Sequence, residues 1–408
     1  MSTSLLYHAF GATHYQYLKT EYLEGKITLF LAKKKDKQRC ADCKSRNTSW
    51  AGGRNYQLQT LPIGKKPVIL DVHLKKLSCK DCGSCLQEKR ELADPRKTYT
   101  RQLARYVVDL AKTMTLQDVA DHLQMGWHKV RDIIKENLER KEKERSWREV
   151  RRIAIDEIAV RKGHRYMTVV VDLDTGMVLE VVDGRKAESL KPVFDRLKRA
   201  RSELEAVAMD MSSAFLKAVK TYWPKKVAIV HDHFHVVQAM NSVVDEVRRN
   251  EQSRLDDEGT KVFKGNRYLL LTGWEKLEEK DKDGKKVKRL ESMLNLNENL
   301  YKVYLLKEDL RQIWSQANKA EAQKFLKIWL EEARELKLEP VTRMANTIDK
   351  HQAEILAWYD YHISTGPLEG LNNKIKTFKR RAFGFRNKAF FRLRLLFIHE
   401  TKFRLSGA

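Results

Sequence analysis

The sequence predicts a multidomain α+β protein in which a cysteine-rich β-region, a helical segment and an α/β layer follow one another along the chain. Three observations lead to this prediction. The chain has 408 residues, which is more than a single ordinary hydrophobic core accommodates. All five cysteines lie between Cys40 and Cys85. From Arg152 onward, apolar strands alternate with helices, a pattern typical of α/β layers.

The composition indicates a folded protein with a polyanionic partner. Hydrophobic residues make up 42% of the chain, enough to form a buried core. The 80 Lys and Arg residues outnumber the 55 Asp and Glu residues and give a formal net charge of +25, which favours nucleic acid as the partner. The alternatives are a basic protein without such a partner and a protein that contacts an anionic membrane. No apolar run is long enough to cross a bilayer and Met1–His14 lacks the pattern of a secretory signal, so we expect a cytoplasmic location and no membrane partner.

Residues 1–95 are predicted to form a small zinc-binding β-domain. Runs such as Lys26–Leu31 and Val68–Leu74 are typical of β-strands. An odd, tightly clustered set of cysteines in a large cytosolic chain favours metal binding over disulfides. Two C-x-x-C pairs supply the four ligands that tetrahedral zinc requires. We therefore predict one structural zinc ion in a zinc-ribbon-like domain, held by Cys40, Cys43, Cys79 and Cys82, with Cys85 as the alternative to Cys82.

Residues 96–150 are predicted to form a helix-turn-helix followed by a linker helix. Thr115 suits the N-cap of the first helix, Gly126 suits the turn, and the apolar residues recur at helical spacing. The charged run Glu136–Arg151 predicts a solvated linker helix. A helical hairpin without DNA contact is the alternative, but the basic setting favours DNA binding. The second helix would present four residues to a DNA groove: Trp127, His128, Lys129 and Arg131.

Residues 151–240 are predicted to form the first part of the α/β layer. Ile153–Val160 is almost continuously apolar, as expected for a strand that is buried on both faces. Further strands and one helix are indicated by apolar runs that are separated by turn signals. They are the strands His164–Asp172 and Met177–Asp183, which complete an antiparallel meander, the helix Ala187–Arg199, and the strands Ala206–Asp210 and Val227–His235.

Two carboxylates in these apolar strands are candidate metal ligands. A carboxylate such as Asp156 inside a buried strand costs several kcal/mol unless a partner compensates its charge. Asp210, at the end of another apolar strand, repeats the pattern. Their hard oxygen atoms suit Mg²⁺ or Mn²⁺. The alternative is that an Asp at a strand end only caps the following helix.

The remaining chain is predicted to be helical, with residues 241–355 highly charged and residues 356–408 strongly basic. Pro367 fits the first turn of a helix, which places Glu369 in that first turn as well. There the helix dipole alone favours a negative charge, so the carboxylate need not bind a metal. Basic residues further along could contact DNA phosphates beside a catalytic point: Lys376, Lys379, Arg380 and Arg386.

Several blocks in a fixed order resemble the ISL3 family of insertion-sequence transposases, and the resemblance covers nearly the whole chain. Together they are far more specific than any single motif. Cys85, an extra cysteine, is the chief departure and concerns only the fourth zinc ligand. The blocks are the paired cysteines, Met114–Ile133, Ile155–Ala159 with Lys162–Tyr166, Ala208–Ser212, Asp232–His235, Tyr304–Lys307, and Ser364–Gly370 with Asn372 and Asn373.

The resemblance implies a ribonuclease H-like catalytic domain that is interrupted by a helical insertion. It assigns two Mg²⁺ or Mn²⁺ ions to Asp156, Asp210 and Glu369, and it makes Asp232 and His235 a supporting pair. The implied organisation is a zinc-ribbon-like domain over residues 1–95, a helix-turn-helix with its linker over 96–150, and a catalytic domain over 151–240 and 356–408 around an insertion over 241–355.

The implied function is a bacterial transposase, associated with the nucleoid, that acts on double-stranded DNA. It would bind the terminal inverted repeats of its element, cleave the ends in a metal-dependent reaction and join them to target DNA. Because two ends are cut together, we expect a homodimer or a larger assembly on DNA. One alternative is a non-catalytic DNA-binding regulator, which would not need carboxylates inside apolar strands. Another is a nuclease of the same fold that cuts DNA without joining it.

Overall fold

The computed structural model describes residues 5–161, 165–224, 226–254, 262–381 and 387–400. The chain divides into two compact units. The first, here called the N-terminal unit, comprises Met1–Arg145, Lys379–Arg394 and Glu400–Ala408. The second, here called the sheet unit, comprises Ser146–Phe378 and Leu395–His399.

The N-terminal unit begins with a five-stranded sheet whose order is β1-β2-β4-β3, with β5 paired to β4. β2 and β4 are parallel, and the other pairs are antiparallel. Burial alternates strictly along β2, as expected for a strand with one face on a core. The first elements are α1 (Leu5–Phe10), β1 (Tyr15–Leu23), β2 (Lys26–Lys33), β3 (Thr48–Ile63), β4 (Lys66–Cys79) and β5 (Cys85–Gln87).

Three helices follow: α2 (Arg101–Leu110), α3 (Leu116–Leu123) and α4 (Trp127–Glu144). Thr115 caps α3 as predicted, and its side chain forms a reciprocal capping box with Asp118. The turn differs from the prediction, because Gln124 takes the left-handed conformation (φ 48°) while Gly126 is extended and caps α4. The apolar faces of α3 and α4 are buried, which is the arrangement of a helix-turn-helix.

The predicted linker helix over Glu136–Arg151 is too long. α4 ends at Glu144, and the next residues are not helical. Trp147 and Val150 are instead almost fully buried in the core of the sheet unit. The charge pattern suggested a solvated helix, but burial of these two apolar side chains determines the conformation of the segment.

The sheet unit contains a five-stranded sheet in the order β10-β9-β6-β7-β8. β6, β7 and β8 form the predicted antiparallel meander, whereas β9 is parallel to β6 and β10 is parallel to β9. Ile153 and Ile155 in β6 are fully buried, as the apolar run predicted. The elements are β6 (Arg152–Arg161), β7 (Arg165–Asp172), β8 (Val178–Asp183), α5 (Lys191–Arg199), β9 (Ala206–Met209), α6 (Ser213–Tyr222) and β10 (Ala228–His231).

A long helical region follows β10 and has its own hydrophobic core. Lys307, in this region, is fully buried; its ammonium donates to the carbonyl oxygens of Leu270 and Thr272 and pairs with Glu308. No helix among the described residues combines the length and apolarity that a membrane crossing requires. The helices are α7 (His233–Gln252), α8 (Arg267–Leu271), α9 (Trp274–Lys280), α10 (Lys285–Asn295), α11 (Glu298–Gln312), α12 (Lys319–Glu335), α13 (Glu339–Lys350), α14 (Gln352–Leu356) and α15 (Trp358–Tyr361).

The last described helices are α16 (Gly366–Arg381) and α17 (Lys388–Leu396). Glu369 lies in the first turn of α16, as Pro367 predicted. Residues of α16 up to Phe378 belong to the sheet unit, and its last residues belong to the N-terminal unit. The start of α16 is the part that contributes to the candidate active site.

Candidate active site

The sheet brings Asp156 and Asp210 together. β6 and β9 are parallel neighbours, and Ala154 pairs with Ala208 at the end of their ladder. Asp156 and Asp210 each lie two residues beyond that pair, so they reach the same level of adjacent strands. Both side chains are half-buried. The site therefore lies beside the carboxyl ends of β6 and β9.

Burial and mutual repulsion both oppose ionisation at this site. The pKa of Asp156 is raised mainly by burial, and the charge of Asp210 raises it further. Burial also raises the pKa of Asp210. Backbone N–H groups compensate in part: Glu157 N–H donates to Asp156 at 2.7 Å and Ser212 N–H donates to Asp210 at 3.0 Å. Two carboxylates that are held together against this cost would be stabilised by a cation.

Helix α16 contacts Asp156 directly. The Asn372 side-chain amide donates to Asp156 Oδ2 at 2.7 Å, across 216 residues of sequence. The side-chain oxygen (Oδ1) of Asn372 is buried and has no hydrogen-bond partner among the described residues. Since Asn372 lies three residues after Glu369, one helical turn separates the two on the same side of α16. The start of α16 therefore lies against the strand that carries Asp156.

Glu369 itself is exposed, and its carboxylate is not assembled with the other two. Two groups of three or more His, Cys, Asp or Glu side chains bring their ligand atoms within 4.8 Å of one another among the described residues. Neither group contains Asp156, Asp210 or Glu369. The structure thus pairs Asp156 with Asp210 and brings the Glu369 helix to them. Its role as a third ligand remains a prediction.

Asp232 anchors the chain in front of α16. Its carboxylate is buried and accepts two backbone hydrogen bonds. Oδ1 accepts from Phe234 N–H at 2.7 Å and caps α7, while Oδ2 accepts from Thr365 N–H at 2.6 Å. Thr365 immediately precedes α16. Asp232 therefore fixes the end of β10 to the start of the helix that carries Glu369.

His235, the other predicted supporting residue, acts on the carboxylates through charge. It is half-buried in the first turn of α7. A positive charge on His235 lowers the pKa of both Asp156 and Asp210, against the larger effect of burial. The structure thus places His235 within electrostatic reach of both carboxylates.

Glu157 belongs to the same surroundings, although no pattern in the sequence indicated a role for it. Its carboxylate is half-buried, and its pKa is raised by burial and then by the charges of Asp210 and Asp156, while Arg185 lowers it. Its position next to Asp156 was visible in the sequence. The alternation of side chains along a strand, however, predicts opposite faces for two neighbours and gave no reason to include it.

A histidine pair beside the site was also missed. The rings of His231 and His351 meet edge to face, with Nε2 and Nδ1 3.3 Å apart, and Glu354 lies next to them. Burial lowers the pKa of His231 to about 4, so its ring is neutral near pH 7. Lys220 pairs with Glu354 at 2.9 Å. This cluster joins β10 to the region of α14, and sequence alone could not pair residues 120 positions apart.

The four predicted zinc ligands form one cluster in the N-terminal unit. The sulfur atoms of Cys40 and Cys82 are 3.7 Å apart, and those of Cys43 and Cys79 are 3.5 Å apart. All four lie within 4.8 Å of one another, while Cys85 lies outside the group in β5. Hydrogen bonds with the Ser84 hydroxyl lower the pKa of Cys40 and Cys82, whereas the neighbouring thiols raise the pKa of Cys43 to about 12. The cluster fits a tetrahedral zinc site.

We expect Cys40→Ser to remove zinc from the purified protein, because loss of one thiolate breaks a four-ligand site. Cys85→Ser is the matched control, since it removes a cysteine outside the cluster and should leave one zinc ion per chain. Elemental analysis after gel filtration measures both. Equal zinc content in the two variants would contradict this assignment.

The predicted DNA-contacting residues lie at or near the surface where they are described. Trp127 is 39% exposed, and the Arg131 guanidinium lies 5.6 Å from the centre of its ring while also bonding to Asp132. His128 is exposed and Lys129 is half-buried. In α16, Lys376 and Arg380 are exposed and Lys379 is half-buried, whereas Arg386 and residues 162–164 lie outside the described residues.

Comparison with known proteins identifies the class of this chain. A family described as "Transposase" matches residues 153–395, and the "Helix-turn-helix domain of transposase family ISL3" matches residues 88–136. The chain is therefore a transposase, a nucleic-acid-processing enzyme that binds DNA and belongs to a group that uses divalent metal ions. It is a member of the ISL3 family.

Curated relatives agree with this membership. The transposase for insertion sequence element IS1001 of Bordetella parapertussis is 31% identical over 360 residues, which cover 87% of each chain. The transposase for insertion sequence element IS1557 of Mycobacterium tuberculosis is 28% identical over 86% of this chain and 83% of the relative. The solved Drosophila P element transposase strand transfer complex has a TM-score of 0.38 and 12% identity over 75% of this chain and 93% of that chain, a similarity too low to assign a fold.

Proposed function

We propose that the chain binds the terminal inverted repeats of its insertion sequence, cleaves the DNA at the ends of the element and joins those ends to target DNA. The metal-binding residues would be Asp156, Asp210 and Glu369. The observation that carries this proposal is the meeting of Asp156 and Asp210 at adjacent strand ends, with α16 bonded to Asp156 through Asn372. The test is a joining assay with purified protein and DNA that carries the sequences flanking its gene.

The residues at the site fit divalent magnesium or manganese. The carboxylates of Asp156 and Asp210 offer hard oxygen ligands, which these ions prefer. The buried side-chain oxygen (Oδ1) of Asn372, which has no hydrogen-bond partner among the described residues, is one more such oxygen beside Asp156. Two carboxylates whose ionisation is opposed by burial and by each other gain most from a nearby cation.

Bound divalent ions would lower the pKa of an attacking water or DNA 3′-hydroxyl and stabilise the leaving oxygen of the phosphodiester. The residues of the chain prepare this chemistry. Asp156 and Asp210 hold the negative charge that retains the ions, and Asn372 orients Asp156 by its hydrogen bond. Asp232 holds the backbone before α16 and thereby sets where Glu369 stands. A positive charge on His235 would lower the pKa of both aspartates, against the larger effect of burial.

The proposed catalytic domain is ribonuclease H-like and is interrupted by a helical insertion. An antiparallel meander of β6, β7 and β8, extended on the β6 side by parallel β9 and β10, supports that fold. The insertion would comprise residues 241–355, between catalytic segments 151–240 and 356–408. A zinc-ribbon-like domain over 1–95 and a helix-turn-helix with its linker over 96–150 would precede them.

We place recognition of the element ends in the N-terminal unit, with α4 as the helix that enters a DNA groove. Lys129→Ala should weaken binding to end-containing DNA by about tenfold and reduce the salt dependence of binding by about one phosphate contact. Fluorescence anisotropy of labelled end DNA at several salt concentrations measures both effects.

Lys143→Ala is the matched control for this prediction. Lys143 is an exposed lysine near the end of the same helix, four turns from Lys129. Equal losses in the two variants would indicate general attraction of positive charge to DNA and would remove α4 from the recognition surface.

Because two ends must be cut together, we also propose that the enzyme works as a homodimer or larger assembly on nucleoid DNA. Mixing wild-type protein with a catalytically inactive variant tests this. If activity falls more steeply than the fraction of wild-type chains in the mixture, the enzyme works as an assembly. If activity falls in proportion to that fraction, the chains work as independent monomers.

A further inference from the structure

A basic cavity lies in the helical region after β10. Its volume is about 1060 Å³, just above the range of about 300–1,000 Å³ for ligand sites. Among the residues that the structure describes, five Lys or Arg side chains line it and no Asp or Glu does. A cavity of this size with cations and no acidic group favours an anionic ligand.

The positive charge of this cavity is largely uncompensated. Lys276, Lys280 and Lys286 are exposed and form no ion pair with any residue that the structure describes. The two arginines are paired, Arg267 with Asp245 and Arg311 with Glu308, and neither acid lines the cavity. The three lysines are thus available to contact phosphate groups.

Aromatic rings stand among these cations. Phe234 is 53% exposed and Tyr268 is 73% exposed, although burial would stabilise both rings. Trp314 also lines the cavity, with the ring of His233 5.7 Å from its own. Exposed rings beside cations form a surface on which the bases of a single strand stack.

Two buried polar atoms in the lining have no hydrogen-bond partner among the described residues. They are Asn241 Oδ1 and Trp314 Nε1. An unpaired buried donor and an unpaired buried acceptor are costly in a folded protein.

The cavity is next to the candidate active site within the same unit. Asp232 immediately follows β10, and the next residues, His233 and Phe234, line the cavity. The next residue, His235, acts electrostatically on Asp156 and Asp210. A DNA strand held at those carboxylates would therefore pass close to the cavity mouth.

We propose that this cavity binds unpaired nucleotides of the DNA strand on which the enzyme acts, with Phe234 and Tyr268 stacking on bases and Lys276 and Lys286 contacting phosphates. Bases inside a duplex are not available for such stacking, so the cavity takes bases that have left the helix. This inference rests on the proposed function, because it assumes a DNA substrate.

The test measures binding of a short fluorescent oligothymidylate to the full-length chain and compares it with an abasic strand of the same length. Phe234→Leu should weaken oligothymidylate binding about tenfold, the scale of one lost base stack, and leave the affinity for the abasic strand unchanged. Tyr301→Leu is the matched control, because Tyr301 is an exposed tyrosine of the same region that does not line the cavity.

The cations are tested with a Lys276→Gln/Lys286→Gln double variant. It should weaken binding of both strands. The slope of the logarithm of the binding constant against the logarithm of the salt concentration should become shallower by about 0.7 for each phosphate contact that is lost. Lys288→Gln, on the same helix as Lys286 but outside the lining, should change neither.

Equal effects of Phe234→Leu and Tyr301→Leu, or equal affinity of the two strands, would overturn the inference. The outcome is separable from the proposed function. A chain that cuts and joins DNA but shows no Phe234 effect loses only this inference, whereas a chain that binds the strand as expected but cuts no DNA loses only the proposed activity.

Discussion

Glu369→Gln should reduce cleavage of end-containing DNA by at least about a hundredfold while binding of that DNA is retained. The substitution keeps the size and polarity of the side chain and removes the charge that would help to hold a divalent ion. If Glu369 only favours the first turn of α16, its loss costs about 0.3–1 kcal/mol of helix stability and leaves cleavage almost unchanged. The two roles differ so much in expected effect that a single rate measurement separates them.

The matched control is Glu339→Gln. Glu339 is an exposed glutamate in the first turn of α13, in the same unit. Its substitution also removes a negative charge that interacts with a helix dipole, but at a position outside the candidate active site. Asp156→Asn and Asp210→Asn should behave like Glu369→Gln. Glu157→Gln should retain most activity, since Glu157 is assigned no metal. Near-normal cleavage by folded Glu369→Gln protein would remove Glu369 from the site, and inactive Glu157→Gln protein would make Glu157 the candidate in its place.

Asp232→Asn should lower the cleavage rate at saturating DNA by about a hundredfold, the scale of effect that a displacement of about 1 Å has at a reacting centre. The asparagine carbonyl oxygen can still accept from Phe234 N–H and cap α7. The amide NH₂ cannot accept from Thr365 N–H, so the link to α16 is lost. The buried N–H that is left unpaired costs about 1–3 kcal/mol of stability.

A specific readout distinguishes displacement of α16 from general instability. If Glu369 moves away from the aspartates, the Mg²⁺ concentration that gives half-maximal cleavage should rise, while affinity for end DNA stays the same. Thr365→Ala is the control. It changes the side chain of the residue that Asp232 contacts, but it keeps the backbone N–H that donates to Asp232. A folded Asp232→Asn protein with the wild-type rate and Mg²⁺ dependence would show that the link to Thr365 does not position the site.

Local sequence patterns predicted much of the architecture. The unbroken apolar run at Ile153–Val160 predicted a buried strand, and the C-x-x-C pairs predicted the cysteine cluster, because both signals lie within a few residues of sequence. The cap at Thr115 and the start of α16 were predicted for the same reason. The prediction from local sequence was wrong at Trp147, because the charged run predicted a continued helix whereas burial of the Trp147 side chain in the core decides the conformation.

The contacts that shape the site join distant residues and could not be predicted in this way. Asn372 meets Asp156 across 216 residues, and Thr365 meets Asp232 across 133. Asn372 could be placed beside Glu369 in α16, but nothing in the sequence indicated which strand that helix would meet. The basic cavity is similar, since its lining comes from five helices and the segments between them. A pattern in any one helix carries too little information to reveal it.

Joining of DNA is the most direct test of the central claim that this chain is a metal-dependent transposase. Purified protein is incubated with supercoiled target DNA and a labelled duplex that ends in the 3′-hydroxyl of the element's terminal repeat, with Mg²⁺ added or omitted. We expect label covalently joined to the target only with Mg²⁺, and no joined product with Asp156→Asn protein. Cut DNA without joined product would indicate a nuclease, and tight end binding without any cut or joined product would indicate a regulator; either result would contradict the account.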